Sequence, residues 1–351
     1  MAKREYTAND FRNGNAVKWC PGCGDHAVFN SVLKALPEVA ERLNIPRENF
    51  AFISGIGCSS RFVYYMNTYG FHTIHGRAAA ISTGLKTARP DLSVWVCSGD
   101  GDSLAIGGNH FIHACRRNID LNLILFNNEI YGLTKGQYSP TSKLGKVTKT
   151  SPFGTIEEPF SPAVLAIGAK ASFVARTIDM ELDLTKELLV EGACHKGMSV
   201  IETLVNCVIF NHKTHADYAD TKAIREERTI RLKHGEKMLF GANKEKGLVL
   251  DGLKLKVVTV GEEGYTIDDV LTHDAHSEDT ALHTMLASMR YPDYPVAVGV
   301  IRDVARPTYD SEVARQIEEQ QAVKPNMKAD DLFFGGETWK VEELSKLKIK
   351  N

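Results

Sequence analysis

Residues 93–102 read Ser-Val-Trp-Val-Cys-Ser-Gly-Asp-Gly-Asp (SVWVCSGDGD), and this stretch decides the fold. A run of apolar and small residues leads straight into a Gly-Asp-Gly-Asp turn, and a helix-length segment follows. A short strand that is apolar on successive positions is buried on both faces, which parallel sheets require. Open α/β sheets bind ligands at the carboxyl ends of such strands, and glycines there let the backbone approach a phosphate closely. Gly99 and Gly101 therefore frame Asp100 where it can reach a hard cation. Taken alone, Gly-Asp-Gly is also a common turn former, so the surrounding frame has to decide.

That frame repeats on both sides. Phe50–Ser54 (FAFIS), Leu121–Asn127 (LNLILFN) and Ser199–Leu204 (SVIETL) read as further buried strands. Between them lie predicted helices: one from Asp25 through Leu36, the alanine-rich Ala78–Ala88, Leu104–Arg117 capped by Ser103, and Met180–His195. Arg116, Arg117 and Asn118 give the third a C-terminal signature. The strand–helix alternation predicts a doubly wound parallel sheet. Twenty-five residues separate Gly101 from Asn127-Asn128 at the end of the next strand. Adjacent strand ends would thus present one carboxylate and one amide oxygen. With phosphate oxygens, a backbone carbonyl and water, that set suits octahedral Mg²⁺. Leu133–Pro159 lacks any helical period and reads as a long functional loop. Three segments are expected: an N-terminal arm (1–14), a cofactor-binding domain (15–215), and a C-terminal extension (216–351) that wraps a partner, with weak strand signals at Leu253–Val260 and Val296–Val300.

The chain has 351 residues, and 42 Lys+Arg against 44 Asp+Glu leave a net charge of −2, which argues against wrapping nucleic acid. No apolar run approaches the roughly 18–20 residues of a membrane span, and the N-terminus has no apolar export signal; a cytoplasmic protein is expected. Seven cysteines in such a chain do not suggest a disulfide scaffold. Cys20 and Cys23 form a Cys-x-x-Cys knuckle, which fits a zinc half-site, a redox dithiol or an iron–sulfur half-site. Cys58 follows the first strand and Cys207 the last, so both leave the sheet at the same edge as Asp100. Topology therefore selects Cys20, Cys23, Cys58 and Cys207 as a four-sulfur set, with structural zinc still an open alternative. Cys97, Cys115 and Cys194 read as packing thiols.

The spacing from Gly-Asp-Gly to Asn-Asn resembles the thiamine-diphosphate motif. Five separated motifs extend the likeness: CPGCG, GIGCSSR, the His-Gly-Arg-Ala segment at His75 to Ala78, GDGD, and NNEIYGLTKGQ. In this order they resemble the β subunit of 2-oxoacid:ferredoxin oxidoreductases over residues 15 to about 215, most closely the 2-oxoglutarate subfamily. The resemblance implies the thiamine-diphosphate-binding version of the doubly wound fold. It implies a [4Fe–4S] cluster on Cys20, Cys23, Cys58 and Cys207, and Mg²⁺ on Asp100, Asn128 and the Ile130 carbonyl. Cofactor contacts are implied for Ile56, Gly57, Cys58, Ser59, His75, Gly99, Asp100, Gly101, Asp102, Asn128, Gly132 and Leu133. Arg61, where relatives often carry lysine, would grip the substrate carboxylate. Leu133, where pyruvate-specific relatives tend to be polar, tilts the pocket towards 2-oxoglutarate. The implied reaction is oxidative decarboxylation to succinyl-CoA and CO₂, with coenzyme A as co-substrate and ferredoxin as electron acceptor. After residue 215 too little patterned sequence remains for the domain that carries the cofactor-activating glutamate. An α subunit would supply it, in an (αβ)₂ assembly. Pyruvate or another 2-oxoacid is the alternative substrate, and a non-catalytic nucleotide-binding subunit with structural zinc is the more distant one. His273–Asp279 and Arg225–Arg231 read as solvated helical segments.

Overall fold

A computed structural model describes residues 5–324, 326–337 and 339. Among these, eight strands form the main sheet: β1 (Phe50–Ser54), β2 (Tyr69–His72), β3 (Ser93–Gly99), β4 (Leu121–Asn127), β5 (Phe173–Ile178), β6 (Met198–Leu204), β7 (Thr229–Leu232) and β11 (Val296–Asp303). Their order is β2-β1-β3-β4-β6-β5-β11-β7. The strands from β2 to β5 run parallel, and β11 joins β5 in the antiparallel sense. Every residue of β1, β4, β5 and β6 is buried, as a sheet covered on both faces demands.

Helices cover each face. Among the described residues α1 (Asp25–Leu43), α2 (Ala78–Ala88), α3 (Asp100–Leu104), α4 (Gly108–Arg117), α5 (Pro162–Gly168) and α6 (Leu182–Cys194) interleave with the strands. Alternate strand residues point to opposite layers. Phe52, Trp95 and Phe126 pack with α1 and α6 in one core, and Ile53, Val94, Val96 and Leu123 pack with α2, α4 and α5 in the other. The chain leaves β1 for β2 on one flank and returns to β3 on the other. The strand order thus reverses between β1 and β3, where doubly wound sheets open a ligand crevice.

The predicted doubly wound sheet is present, with four local departures. α1 continues through Pro37 to Leu43, because one missing N–H removes a single helical bond while Val39 and Ala40 still bury against the core. The expected helix at 104–117 is broken: a Cβ at Gly107 would lie 2.3 Å from the Asp102 carbonyl, so only glycine permits the approach, and α4 starts at Gly108. β5 escaped detection because Arg176 sits inside it. The fourth departure concerns the C-terminal extension. β7 and β11 complete the main sheet. β8 (Leu239–Phe240), β9 (Lys246–Asp251) and β10 (Lys254–Thr259) form a small antiparallel sheet whose Leu248 and Leu255 join the second core. α7 (Ala216–Ala219), α8 (Lys222–Arg228) and α9 (Ala281–Ser288) lie in the same stretch. Residues up to Asp310 thus cluster as one compact unit, with no division at residue 215. A second unit starts at Ser311; α10 (Tyr309–Val323) runs into it and α11 (Ala329–Phe333) lies within it.

The segment read as solvated at 273–279 holds a buried histidine instead. His273 is 1% exposed; its Nε2 donates to the Val300 carbonyl at 2.8 Å, and its Nδ1 has no partner among the described residues. A proton on Nδ1 would be buried unpaired, so burial pulls the group down to about 4 from an ordinary 6.5. The unfolded chain then binds the proton more readily, so the contribution is complete above pH 6.5 and is lost as pH falls towards 4. We expect the stability advantage of the native chain over His273→Gln to shrink by on the order of 3 kcal/mol across that window. Denaturant titrations of both chains at several pH values check this; a constant difference would contradict it.

Candidate functional site

The carboxyl ends of β1, β3 and β4 open into a cavity of about 460 Å³. Ile56, Gly57, Cys58 and Ser59 line it after β1, Gly99, Asp100, Gly101 and Asp102 after β3, and Asn128, Ile130, Tyr131, Gly132 and Leu133 after β4. His75, Asp25, Phe126, Thr134 and Gln137 complete the wall. Sequence candidates from four motifs thus converge on one crevice.

Asp102 is the hub of its deep end. Its carboxylate is buried, and Oδ1 accepts from the Ile56 N–H at 3.1 Å, the Gly76 N–H at 2.7 Å and His75 Nδ1 at 2.7 Å. The Ser98 hydroxyl donates to Oδ2 at 2.6 Å, and Ser103 backs Ser98 at 2.7 Å. Asp102 therefore fixes the loop after β1 and the His75 ring through the chain's own donors. With Nδ1 turned to the carboxylate, His75 keeps Nε2 for a ligand. Gly55 permits the arrangement, since a Cβ there would fall 1.7 Å from Asp102 Oδ2.

Asp100 has a different environment. It too is buried, and the hydroxyls of Ser139 and Thr141 both donate to its Oδ2 at 2.5 Å. Burial outweighs these donors and pushes the carboxyl up to about 6. Asn128, whose Oδ1 accepts the Ile130 N–H at 3.1 Å, lines the same cavity as Asp100 and Ile130. Glu129 between them takes a left-handed φ of 55°, the local bend that turns the chain back into the crevice. One carboxylate, one amide and one peptide carbonyl are hard oxygen donors, with no imidazole or thiolate among them. This set fits Mg²⁺ completed by phosphate and water better than a softer metal.

Tyr131 was not singled out from the sequence, although it lies within NNEIYGLTKGQ. Its hydroxyl donates to the Gly101 carbonyl at 3.1 Å, and its ring fills the space a Gly101 side chain would take, with Cε1 2.2 Å from the ideal Cβ position. Burial pushes its phenol up to about 12, so it stays a neutral donor. Ser139 and Thr141 were also missed, because their loop has no period to read. Asp25 opens α1, as expected of a helix start, but it also reaches the cavity wall. Arg61 lies in the 3₁₀ turn Ser59–Tyr64, beside Cys58 and outside the residues that line the cavity.

The four cysteines selected by topology gather at one side of this cavity. Gly24 N–H donates to the Asn206 carbonyl at 3.1 Å, tying the Cys20–Cys23 knuckle to the Cys207 segment. Trp19 Nε1 donates to the Cys58 carbonyl at 2.7 Å. Cys58 and Cys207 Sγ lie 3.4 and 3.6 Å from the point a Gly132 Cβ would occupy. Burial, reinforced by neighbouring Asp25 and the other thiols, pushes Cys58 up to about 12 and Cys23 higher still. Thiols gathered in this way ionise only when a metal centre supplies positive charge. Among the described residues no three His, Cys, Asp or Glu side chains close on a single-ion point. Cys97 and Cys115 are buried elsewhere, and Cys194 lines a separate groove with His195.

Residues 55–203 match the family model described as thiamine pyrophosphate enzyme, C-terminal TPP binding domain. The chain is 48% identical to the 2-oxoglutarate oxidoreductase subunit KorB of Mycobacterium tuberculosis over 95% of its own length and 88% of that protein. It is 43% identical to the 2-oxoglutarate synthase subunit KorB of Methanocaldococcus jannaschii over 70% of its length and 86% of that protein. A solved 2-oxoglutarate:ferredoxin oxidoreductase from Magnetococcus marinus, with 2-oxoglutarate, coenzyme A and succinyl-CoA bound, aligns with a TM-score of 0.73 at 30% identity, over 95% of this chain and 96% of that one. No helix among the described residues is long and apolar enough to cross a membrane. Fold, crevice and relatives agree: the chain belongs to the KorB (β-subunit) family of 2-oxoglutarate:ferredoxin oxidoreductases.

Proposed function

We propose that this chain binds thiamine diphosphate and Mg²⁺ in the β1/β3/β4 crevice and one [4Fe–4S] cluster on Cys20, Cys23, Cys58 and Cys207. In this reading it serves a cytoplasmic enzyme that converts 2-oxoglutarate and coenzyme A to succinyl-CoA and CO₂ and passes the electrons to ferredoxin. The observation that carries the reading is Gly132. It lines the cofactor crevice and, lacking a side chain, leaves the sulfurs of Cys58 and Cys207 next to that crevice. When bound, thiamine diphosphate supplies the chemistry that cleaves the carboxylate from a 2-oxoacid, and an iron–sulfur cluster supplies one-electron steps.

The chain's own residues do the rest. Asp100, Asn128 and the Ile130 carbonyl would hold the cation. Gly99, Gly101 and Asp102 supply close-approaching backbone at the start of α3, where an anion is favoured. Asp102 keeps His75 oriented towards the ligand. Ile56 and Leu133 give an apolar, solvent-exposed lip to the crevice that a bound cofactor or partner would cover. Arg61, one turn beyond Cys58, would reach the substrate carboxylate from outside the cavity. An α subunit would supply the activating glutamate and further parts of the substrate and coenzyme A pocket, in an (αβ)₂ assembly. β7 and β11 complete the sheet, and residues after 215 would also meet that partner.

The test is a 2-oxoacid panel on the purified two-subunit complex under anaerobic conditions, following ferredoxin or viologen reduction. Reduction that requires coenzyme A and is fastest with 2-oxoglutarate is expected. Turnover on pyruvate alone would overturn the substrate assignment, and full turnover by this chain without its partner would overturn the two-subunit site.

A further inference from the structure

We propose that Thr141 and Asn127 are positioning residues for Asp100, held in register by the buried Arg176–Glu202 pair. The proposal rests on the reading of Asp100 as a cation ligand. Arg176 on β5 and Glu202 on β6 stand opposite each other in the parallel ladder, with Arg176 Nε donating to Glu202 Oε2 at 2.8 Å. Both are almost fully buried, at 5% and 2% exposure. A buried ion pair is a poor stabiliser compared with apolar side chains of the same volume, because desolvation offsets most of its attraction. Its presence in the centre of a sheet therefore asks for a role beyond stability.

The second oxygen of Glu202 points to that role. Oε1 accepts from Asn127 Nδ2 at 2.8 Å, which fixes which way the amide faces. Asn127 Oδ1 is thereby turned to the Thr141 hydroxyl, 2.9 Å away. The single proton of that hydroxyl goes to one acceptor at a time, Asn127 Oδ1 or Asp100 Oδ2 at 2.5 Å, so the Asn127 contact sets where the hydroxyl sits beside Ser139 on the same carboxylate oxygen. Both hydroxyls thus occupy Oδ2, and no side chain among the described residues donates to Oδ1. The Gly101 N–H also bonds the carboxylate, so Oδ2 is the side-chain-anchored oxygen and Oδ1 the one left more open to a cation. Asn127 is absent from the cavity wall, so it acts on Asp100 only through Thr141. At the far end, Arg176 donates to the carbonyls of Ala287 at 3.1 Å and Ala297 at 3.4 Å, in α9 and β11. The late-arriving strand β11 thereby braces a residue at the other side of the sheet.

The experiment measures Mn²⁺ binding by EPR in the thiamine-diphosphate-loaded two-subunit complex, with iron content and thermal midpoint recorded for each variant. Thr141→Val is expected to weaken Mn²⁺ binding about 10- to 100-fold, the usual range for residues that orient a metal ligand. Thr141→Ser keeps the hydroxyl and should stay within about threefold of native. The double variant Arg176→Met/Glu202→Met should weaken Mn²⁺ about tenfold without lowering the thermal midpoint, which a merely structural pair could not do. If the double variant does not fold, the Thr141 pair decides alone. Native-like Mn²⁺ binding by Thr141→Val would overturn the proposal, provided Asp100→Asn abolishes it. Native-like binding by Asp100→Asn would instead overturn the cation-ligand reading, and the positioning role with it.

Discussion

Asp102→Ala will uncouple the cofactor end of the sheet from the rest of the fold. The substitution leaves the Ile56 and Gly76 N–H groups and the Ser98 hydroxyl without their acceptor. Each buried unsatisfied donor costs about 1–3 kcal/mol. Relief of burying a carboxylate offsets part of that, so a net loss of about 3–5 kcal/mol is expected in denaturant titrations. The loop after β1 and the His75 ring lose their common anchor, so thiamine diphosphate affinity should fall by about 100-fold, equivalent to roughly 3 kcal/mol. Asp102→Asn can keep its oxygen at the Oδ1 position for the Ile56, Gly76 and His75 donors and set its NH₂ against the rotatable Ser98 hydroxyl, so it should recover most of the lost stability. Stability and cofactor affinity within about twofold of native in Asp102→Ala would show that Asp102 is no hub.

Gly132→Val should separate the cluster from the cofactor. A single Cβ at this point lies at ordinary contact distance from the Cys58 and Cys207 sulfurs. The two further methyl groups of valine must go into the space beside them, where the proposed cluster would sit. The variant is expected to lose most of its iron and to reduce ferredoxin roughly 100-fold more slowly. Asp100, Asn128 and Ile130 are untouched, so Mg²⁺-dependent thiamine diphosphate binding should stay within a few-fold of native. Native iron content in Gly132→Val, measured by colorimetric iron assay and visible absorbance, would separate the thiols from this wall of the crevice. Loss of both iron and cofactor would mean that the substitution had disturbed the whole loop.

How much of this could be read in advance depended on how local each signal was. The strands that carry Asp100 and Asn128 are continuous apolar runs ending in turn residues, so their positions and the crevice between them were legible. The shared edge of Cys58 and Cys207 was legible because strand polarity alone sends both there, beside the segment of the Cys20–Cys23 knuckle. Arg176 hid β5, since a charge inside a strand is intelligible only once its partner Glu202 is known opposite it on the adjacent strand β6. Ser139 and Thr141 lie in a loop without period, and nothing local marks them as donors to Asp100. β11 coincides with the weak strand signal at Val296–Val300 and β7 had no signal, but the place of both in the main sheet is set by tertiary packing rather than by propensity. His273 misled for a similar reason: beside Asp274 and Glu278 it reads as polar surface, yet the fold buries it against Val300.

In the proposed reading the thiol set is an iron–sulfur electron acceptor directly beside the cofactor crevice. Low-temperature EPR decides this on the anaerobic two-subunit complex, loaded with thiamine diphosphate and Mg²⁺, before and after mixing with 2-oxoglutarate and coenzyme A. A reduced-cluster signal is expected to appear on mixing and to be lost in Cys58→Ser. A complex that turns over 2-oxoglutarate while this chain holds zinc, or whose signal survives in Cys58→Ser, would contradict it.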